Sequence, residues 1–203
     1  MKKENLTDEH LIFQDAAKAF FEKEMKPNNE QWEKDGMVSR DIWLKAGSNN
    51  FFGIDVPEEY GGMGIGFMAH AYMNEILAWS PLGNRLFGVI APNSGNQKIL
   101  VKYGTDEQKK KWLIPLINQE MESGFSMTEP DSAGSDPRSL TTTAVKEGDE
   151  WVINGHKIMT SNGQRADFLV VMCKTEDDEG GEANQKMTQI IVPTDTPGVN
   201  RIR

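Results

Sequence analysis

The residues best suited to chemistry lie in two polar turns. The first runs Ser126-Met127-Thr128-Glu129-Pro130-Asp131-Ser132-Ala133-Gly134-Ser135-Asp136. The second is Asn154-Gly155-His156-Lys157, which leads through Ile158-Met159-Thr160 into Ser161-Asn162-Gly163. Each carries small hydroxyl side chains that can face a ligand. Thr128 sets a hydroxyl beside the apolar Met127, which pairs a hydrogen-bonding edge with an apolar surface. The small residues around Ser135 let backbone N–H groups approach an anion closely. Taken singly, the first turn also reads as solvated Pro/Gly punctuation, and Met159-Thr160-Ser161 as a strand end with a polar cap.

Other constellations point to less. Glu129, Asp131 and Asp136 could form a general acid/base group, but they sit in a charged, flexible loop with nothing apolar nearby to raise their pKa. Glu58 and Glu59 read as surface acids. His10, His70 and His156 are far apart in the chain and there is one cysteine, so metal-ligand spacing is missing. No Gly-x-Ser-x-Gly elbow is present. Gly64-Ile65-Gly66-Phe67-Met68-Ala69 formally fits a relaxed dinucleotide fingerprint. Pro57 interrupts the preceding strand and no βαβ unit follows, so it reads as a helix-entry loop. Lys109-Lys110-Lys111 could touch a phosphate, and reads better as a solvated helix face.

The elements that must position these turns fall into two sets. Thr7 caps a predicted helix with Asp8 and Glu9 in its first turn and Phe13, Ala17 and Phe20 at helical spacing, ended by Pro27. Ser39 precedes a short helix around Asp41-Ile42-Trp43-Leu44, broken from Gly47 to Asn50. Further helices are predicted from Phe67 to Trp79 and from Ser94 to Tyr103. Thr105-Asp106-Glu107-Gln108 then matches a capping box, opening a fifth helix whose path Pro115 limits. After about Gly124 the pattern becomes β. Strands are predicted over Leu140–Lys146, Trp151–Ile153, Ile158–Ser161, Phe168–Cys173 and Thr188–Val192. Glu147–Glu150 reads as a hairpin turn, Asn154-Gly155 as a two-residue turn, since both residues tolerate positive φ, and 176–186 as a polar loop. The fold class is α+β: an all-α domain over 1–123, then an antiparallel β-barrel domain over 124–203.

Bulk properties narrow the partners. The chain has 203 residues, a net charge of −9 and no long basic run, which excludes nucleic acid as a partner. Cys173 stands in an apolar run and reads as a packed thiol in a reducing compartment. The N-terminus has no apolar signal region and no window reaches membrane-span length, so a cytoplasmic location is expected.

Val56-Pro57-Glu58-Glu59-Tyr60-Gly61-Gly62, Tyr103-Gly104-Thr105-Asp106-Glu107-Gln108-Lys109, Thr128-Glu129-Pro130 and Asn154-Gly155-His156-Lys157 occur in this order along nearly the whole chain. Together they resemble the acyl-CoA dehydrogenase family, whose members have a helical domain followed by a β-barrel domain. The resemblance implies FAD as cofactor, an acyl-CoA thioester as substrate and an electron-transferring flavoprotein as acceptor. It assigns Phe125, Met127, Thr128, Ser135, Met159, Thr160 and Ser161 to the cofactor, with Ser135 also near the substrate. In that reading the Thr128 hydroxyl and the Ser161 donor converge on one tricyclic ring. Two departures stand out: Asp131-Ser132 occupies a place where many relatives have one glycine, and Met159 stands where many have a tryptophan. Family members are longer, end in a second helical domain and commonly form homo-oligomers. The glutamate base of the family lies in that domain, so no residue here matches it and the chain reads as truncated inside the barrel at Arg203. An oxidase or flavin monooxygenase of the same superfamily, or a non-catalytic fragment, remain as alternatives.

Overall fold

The computed structural model describes residues 6–80, 92–175 and 186–202. The chain divides into two compact units, Met1–Met121 and Glu122–Arg203.

The first unit is helical. Helix α1 (Asp8–Phe20) starts at Thr7, whose hydroxyl accepts from His10 N–H, while the His10 ring nitrogen accepts from Thr7 N–H. This is a capping box in which histidine takes the place usually held by Glu or Gln. Past Phe20 the helix widens into a π turn (Phe21–Met25) and a 3₁₀ turn (Lys26–Asn28) before α2 (Asn29–Asp35). The helix predicted to stop at Pro27 therefore continues in altered form. Proline lacks the N–H that would bond back one turn, and the local rewinding absorbs that loss. The same device recurs near Pro115. Short α6 (Asp106–Gln108), capped by Thr105 as expected, runs through a π turn (Lys109–Leu113) into α7 (Ile114–Ile117). Both π turns keep their apolar residues inward, with Phe21, Met25, Trp112 and Leu113 all buried.

Between these lie α3 (Arg40–Ser48), α4 (Gly66–Leu77) and α5 (Asn93–Tyr103). The core is aromatic. Phe51 meets Phe13 and Phe20 edge-on at ring separations of 5.9 and 5.3 Å, and Trp43 stacks on Phe52 at 5.4 Å. Such pairs add to the burial of large apolar area. Of the Gly64–Ala69 stretch, Gly64-Ile65 is the entry loop and the rest is the first turn of α4, with no strand before it among the described residues. Lys109 donates to the Tyr60 hydroxyl at 2.9 Å and lies over its ring. No helix among the described residues is long and apolar enough to cross a membrane.

The second unit is a five-stranded sheet of β1 (Ser123–Ser126), β2 (Thr143–Glu147), β3 (Glu150–Asn154), β4 (Phe168–Thr175) and β5 (Lys186–Pro193). Strand β4 pairs with three partners. Its whole length runs antiparallel to β5, from Phe168↔Pro193 to Thr175↔Lys186. β1 runs parallel to its first half (Ser123↔Phe168 to Ser126↔Val171), and β2 runs parallel to its last two residues (Thr143↔Lys174, Ala144↔Thr175). The antiparallel expectation thus holds for β2–β3 and β4–β5, while two pairings are parallel. Parallel neighbours need a long crossover, and 127–167 between β1 and β4 and 148–167 between β2 and β4 supply the chain for it. Along β4, Leu169, Val171 and Cys173 share one face and pack with Ala144, Ile153, Ile190 and Val192, the period-two pattern of a strand. Burial pushes the Cys173 thiol up in pKa, so it stays protonated and packs as a small hydrophobe. Most of the polar loop read over 176–186 lies outside the described residues.

Two local readings need correction. The β2–β3 hairpin turns tightly at Gly148-Asp149, with Gly148 at φ +64°. Asn154-Gly155, by contrast, is no positive-φ hairpin turn: Asn154 ends β3 and neither residue has positive φ. Gly155 is there for space. A Cβ at this position would lie 2.2 Å from Thr142 Oγ1. Nor do residues 158–161 form a full strand; they contribute one antiparallel bridge, Ser161 to Phe125.

Candidate functional site

The two polar turns meet within the second unit. Beyond β1 the chain runs through Met127, Thr128 and Glu129, and the segment Lys157–Ser161 lies alongside in one antiparallel register. Phe125 bridges to Ser161, Ser126 Oγ and Thr160 Oγ1 share a hydrogen bond of 3.0 Å, and Ile158 N–H donates to Thr128 O at 2.8 Å. Six of the seven residues assigned to the cofactor therefore sit on two facing segments. Ser135 stands apart on the exposed turn that follows. Its neighbour Gly134 lies against Thr128, where a Cβ would come within 3.3 Å of Thr128 Oγ1.

Met159 departs from the extended course, with φ +52° and 89% exposure. A β-region side chain turned to positive φ is strained by roughly 1–2 kcal/mol, and strain of this kind is most often kept where a ligand is held. An exposed thioether and the half-buried Met127 provide apolar surface. Thr128, Thr160 and Ser161 place hydroxyls along the same pair of segments. In the adjoining turn, Ser132 Oγ is buried with no hydrogen-bond partner among the described residues. An apolar face, a hydroxyl-rich edge and one buried orphan oxygen form a set that suits a planar, polar-edged ring.

What holds the two segments together was only partly legible in the sequence. Glu129, read as part of a flexible charged loop, is 2% exposed. Its carboxylate accepts from Thr141 N–H (2.6 Å), Thr141 Oγ1 (2.7 Å), Thr142 N–H (2.9 Å), Thr142 Oγ1 (2.5 Å) and Lys157 Nζ (2.8 Å). Burial pushes the carboxyl up, but the Lys157, Thr142 and Thr141 donors together outweigh it and hold the group far below the usual carboxylate range. Glu129 is therefore no general base, though for a different reason than the sequence suggested: its oxygens are occupied and its charge is locked in. Lys157 also donates to Met127 O at 3.0 Å. Asp136 is held low by its hydrogen bonds to the Arg138 side chain and N–H, which close the exposed turn after Ser135.

A second cluster fixes the far end. Buried Glu122 pairs with Arg165 at 2.8 Å, accepts from Asn162 Nδ2 at 3.2 Å, and exchanges backbone and carboxylate hydrogen bonds with Asp167 at 2.7 Å. Asn162, at φ +61°, donates in addition to Ser123 O at 3.1 Å. Gly124 admits the loop, since a Cβ there would lie 3.2 Å from Ser161 O and 2.6 Å from Leu169. The sequence singles out neither Glu122 nor Arg165, and it places Asn162 in the second polar turn without a role. Acid and amide types lying 40 residues apart give no periodic or motif signal.

Comparison with known proteins agrees along nearly the whole chain. The family profile described as "Acyl-CoA dehydrogenase, N-terminal domain" matches residues 7–120, and that of "Acyl-CoA dehydrogenase, middle domain" matches residues 124–203. The chain is 35% identical over 158 residues to Acyl-CoA dehydrogenase FadE12 of Mycobacterium tuberculosis, covering 78% of this chain and 39% of that protein. Among solved structures, an acyl-CoA dehydrogenase from Geobacillus kaustophilus aligns with a TM-score of 0.80 at 35% identity, over 97% of this chain and 51% of its own. A glutaryl-CoA dehydrogenase from Mycobacterium smegmatis in complex with FADH2 aligns with a TM-score of 0.80 at 26% identity, over 95% and 47%. The chain thus spans about two fifths to one half of the length of the proteins it matches.

Proposed function

We propose that this chain, which belongs to the acyl-CoA dehydrogenase family, provides the cofactor-facing part of an FAD-dependent enzyme that dehydrogenates an acyl-CoA thioester to the trans-2-enoyl-CoA. The carrying observation is the shared register of Phe125–Thr128 and Ile158–Ser161, with Met159 turned out at positive φ. The M. smegmatis relative, solved with FADH2, supports the choice of flavin. FAD, when bound, supplies the acceptor for a hydride from the substrate β-carbon. Met127 and Met159 would give its ring apolar cover, and Thr128, Thr160 and Ser161 would offer donors at its edge, beside Phe125. Ser135 would lie by the cofactor phosphates and the acyl-CoA, where a small residue lets backbone N–H groups come close.

The division of labour follows the two parts, the helical domain over 1–123 and the sheet domain over 124–203. Removal of the α-proton is assigned to no residue of this chain, because Glu129 is charged, buried and saturated with donors. Electrons would leave to an electron-transferring flavoprotein, from a homo-oligomer in the cytoplasm.

The test is a titration of the intact apoprotein with FAD, followed by anaerobic addition of acyl-CoA thioesters of several chain lengths. Expected are a yellow complex of defined stoichiometry and a shift of its visible band by at least one thioester; bleaching requires in addition a base that is assigned to no residue of this chain. A protein that stays colourless with excess FAD, or a bound flavin whose visible band no acyl-CoA shifts, would sink the proposal. Peroxide formation in air would move it to the oxidase reading.

A further inference from the structure

The flavin-facing segments are not joined by a continuous backbone ladder, because Met159 leaves the extended course midway. Ile158 N–H still donates to Thr128 O at 2.8 Å, and side chains supply the other ties. On one side of Met159 is the Ser126–Thr160 hydroxyl pair, and on the other is Lys157. The Lys157 side chain is only 10% exposed and reaches two acceptors on the opposite segment, Met127 O and Glu129 Oε1. These acceptors flank Thr128. The remaining Glu129 bonds go to Thr141 and Thr142, immediately before β2. A fixed charge is thus tied to the sheet, and one long side chain is tied to that charge.

We infer that the buried Lys157–Glu129 pair is a positioning clamp for the flavin: it sets the spacing of Met127 and Thr128 against Met159, and so governs how tightly the ring is held. This rests on the FAD reading above. A clamp of this kind differs from a purely stabilising ion pair in a measurable way. With Lys157 shortened of its charge, Glu129 keeps four threonine donors and the fold keeps its anchor. The Met127 carbonyl loses its donor, and the segments, still joined by Ile158 N–H to Thr128 O and by the Ser126–Thr160 pair, are held less closely around Thr128 and Met159.

The experiment uses the intact protein as wild type, Lys157→Met and Lys157→Arg. FAD affinity is measured by quenching of flavin fluorescence on folded apoprotein, the visible flavin spectrum is recorded, and urea unfolding is run alongside. Lys157→Met is expected to bind FAD about 10- to 100-fold more weakly, the range that one lost hydrogen bond from a charged group represents. A shifted visible band should accompany the loss, and Lys157→Arg should restore most of the affinity. If Lys157→Met binds FAD like the wild type with an unchanged spectrum, whatever its stability, the clamp inference is overturned while the FAD reading stands. If wild type itself takes up no FAD, the functional reading fails and the inference falls with it. Should Lys157→Met not fold, Lys157→Gln serves in its place and is read by the same two outcomes.

Discussion

Burial alone drives a carboxyl toward its neutral form, and Glu129 is among the most buried acids described here. Five donors reverse that balance. The pH dependence follows from the direction of the shift. The folded pKa lies below the ordinary 4.5, so above that value the pair contributes its full stabilisation. As pH falls below 4.5 the unfolded chain takes up the proton first, and the contribution is lost progressively as pH drops toward the folded value. Glu129→Gln breaks a buried pair from one side and should cost about 3–5 kcal/mol at pH 7. That penalty should shrink as the wild type is acidified below pH 4.5. Urea unfolding of both proteins at several pH values checks this, and a penalty independent of pH would contradict the ionised assignment. The meeting of Met127-Thr128 with Met159-Thr160-Ser161 at the candidate site follows from two short local motifs that the sequence displays. The burial of Glu129 is not legible there, since it depends on Thr141 and Thr142 arriving from the next element.

At the scale of elements, signals confined to one turn of chain read correctly. Thr7 and Thr105 cap helices as expected, because a cap needs only residues three positions apart. The sequence marks Pro27 and Pro115 as limits. They proved to be places where a helix rewinds, since buried Phe21, Met25, Trp112 and Leu113 reward continuation of the helical path. Asn154-Gly155 misled for the opposite reason: turn propensity was local, while the need for a small residue came from Thr142 across the fold. Gly155→Ala should therefore act as overpacking and destabilise by about 1–3 kcal/mol. It should do so by pushing on the same Thr142 that serves Glu129. Chemical denaturation is the readout, and a neutral effect would show that β2 yields freely there. The parallel pairings of β4 left no trace in the pattern of apolar residues, because alternation along a strand is blind to the direction of its neighbours.

For the molecule as a whole, composition excluded more than it identified. With 31 acidic against 22 basic residues, the net charge is −9. A fluorescence anisotropy titration with duplex DNA at physiological salt is expected to stay flat, since counterion release needs a positive surface; saturable binding would overturn that exclusion. The order of helices before sheet was plain from the change of periodicity near Gly124. The arrangement of the sheet was not, and it has a temporal consequence. Strand β1 finds its neighbour only at Phe168–Val171, and the segment bearing Met159 and Ser161 is synthesised between them. A nascent chain on the ribosome can carry every hydroxyl of the candidate site and still lack a surface to hang them on. Completion of β4 is thus the earliest moment at which a coloured cofactor could be captured, so a translational pause before Thr175 should leave the chain colourless.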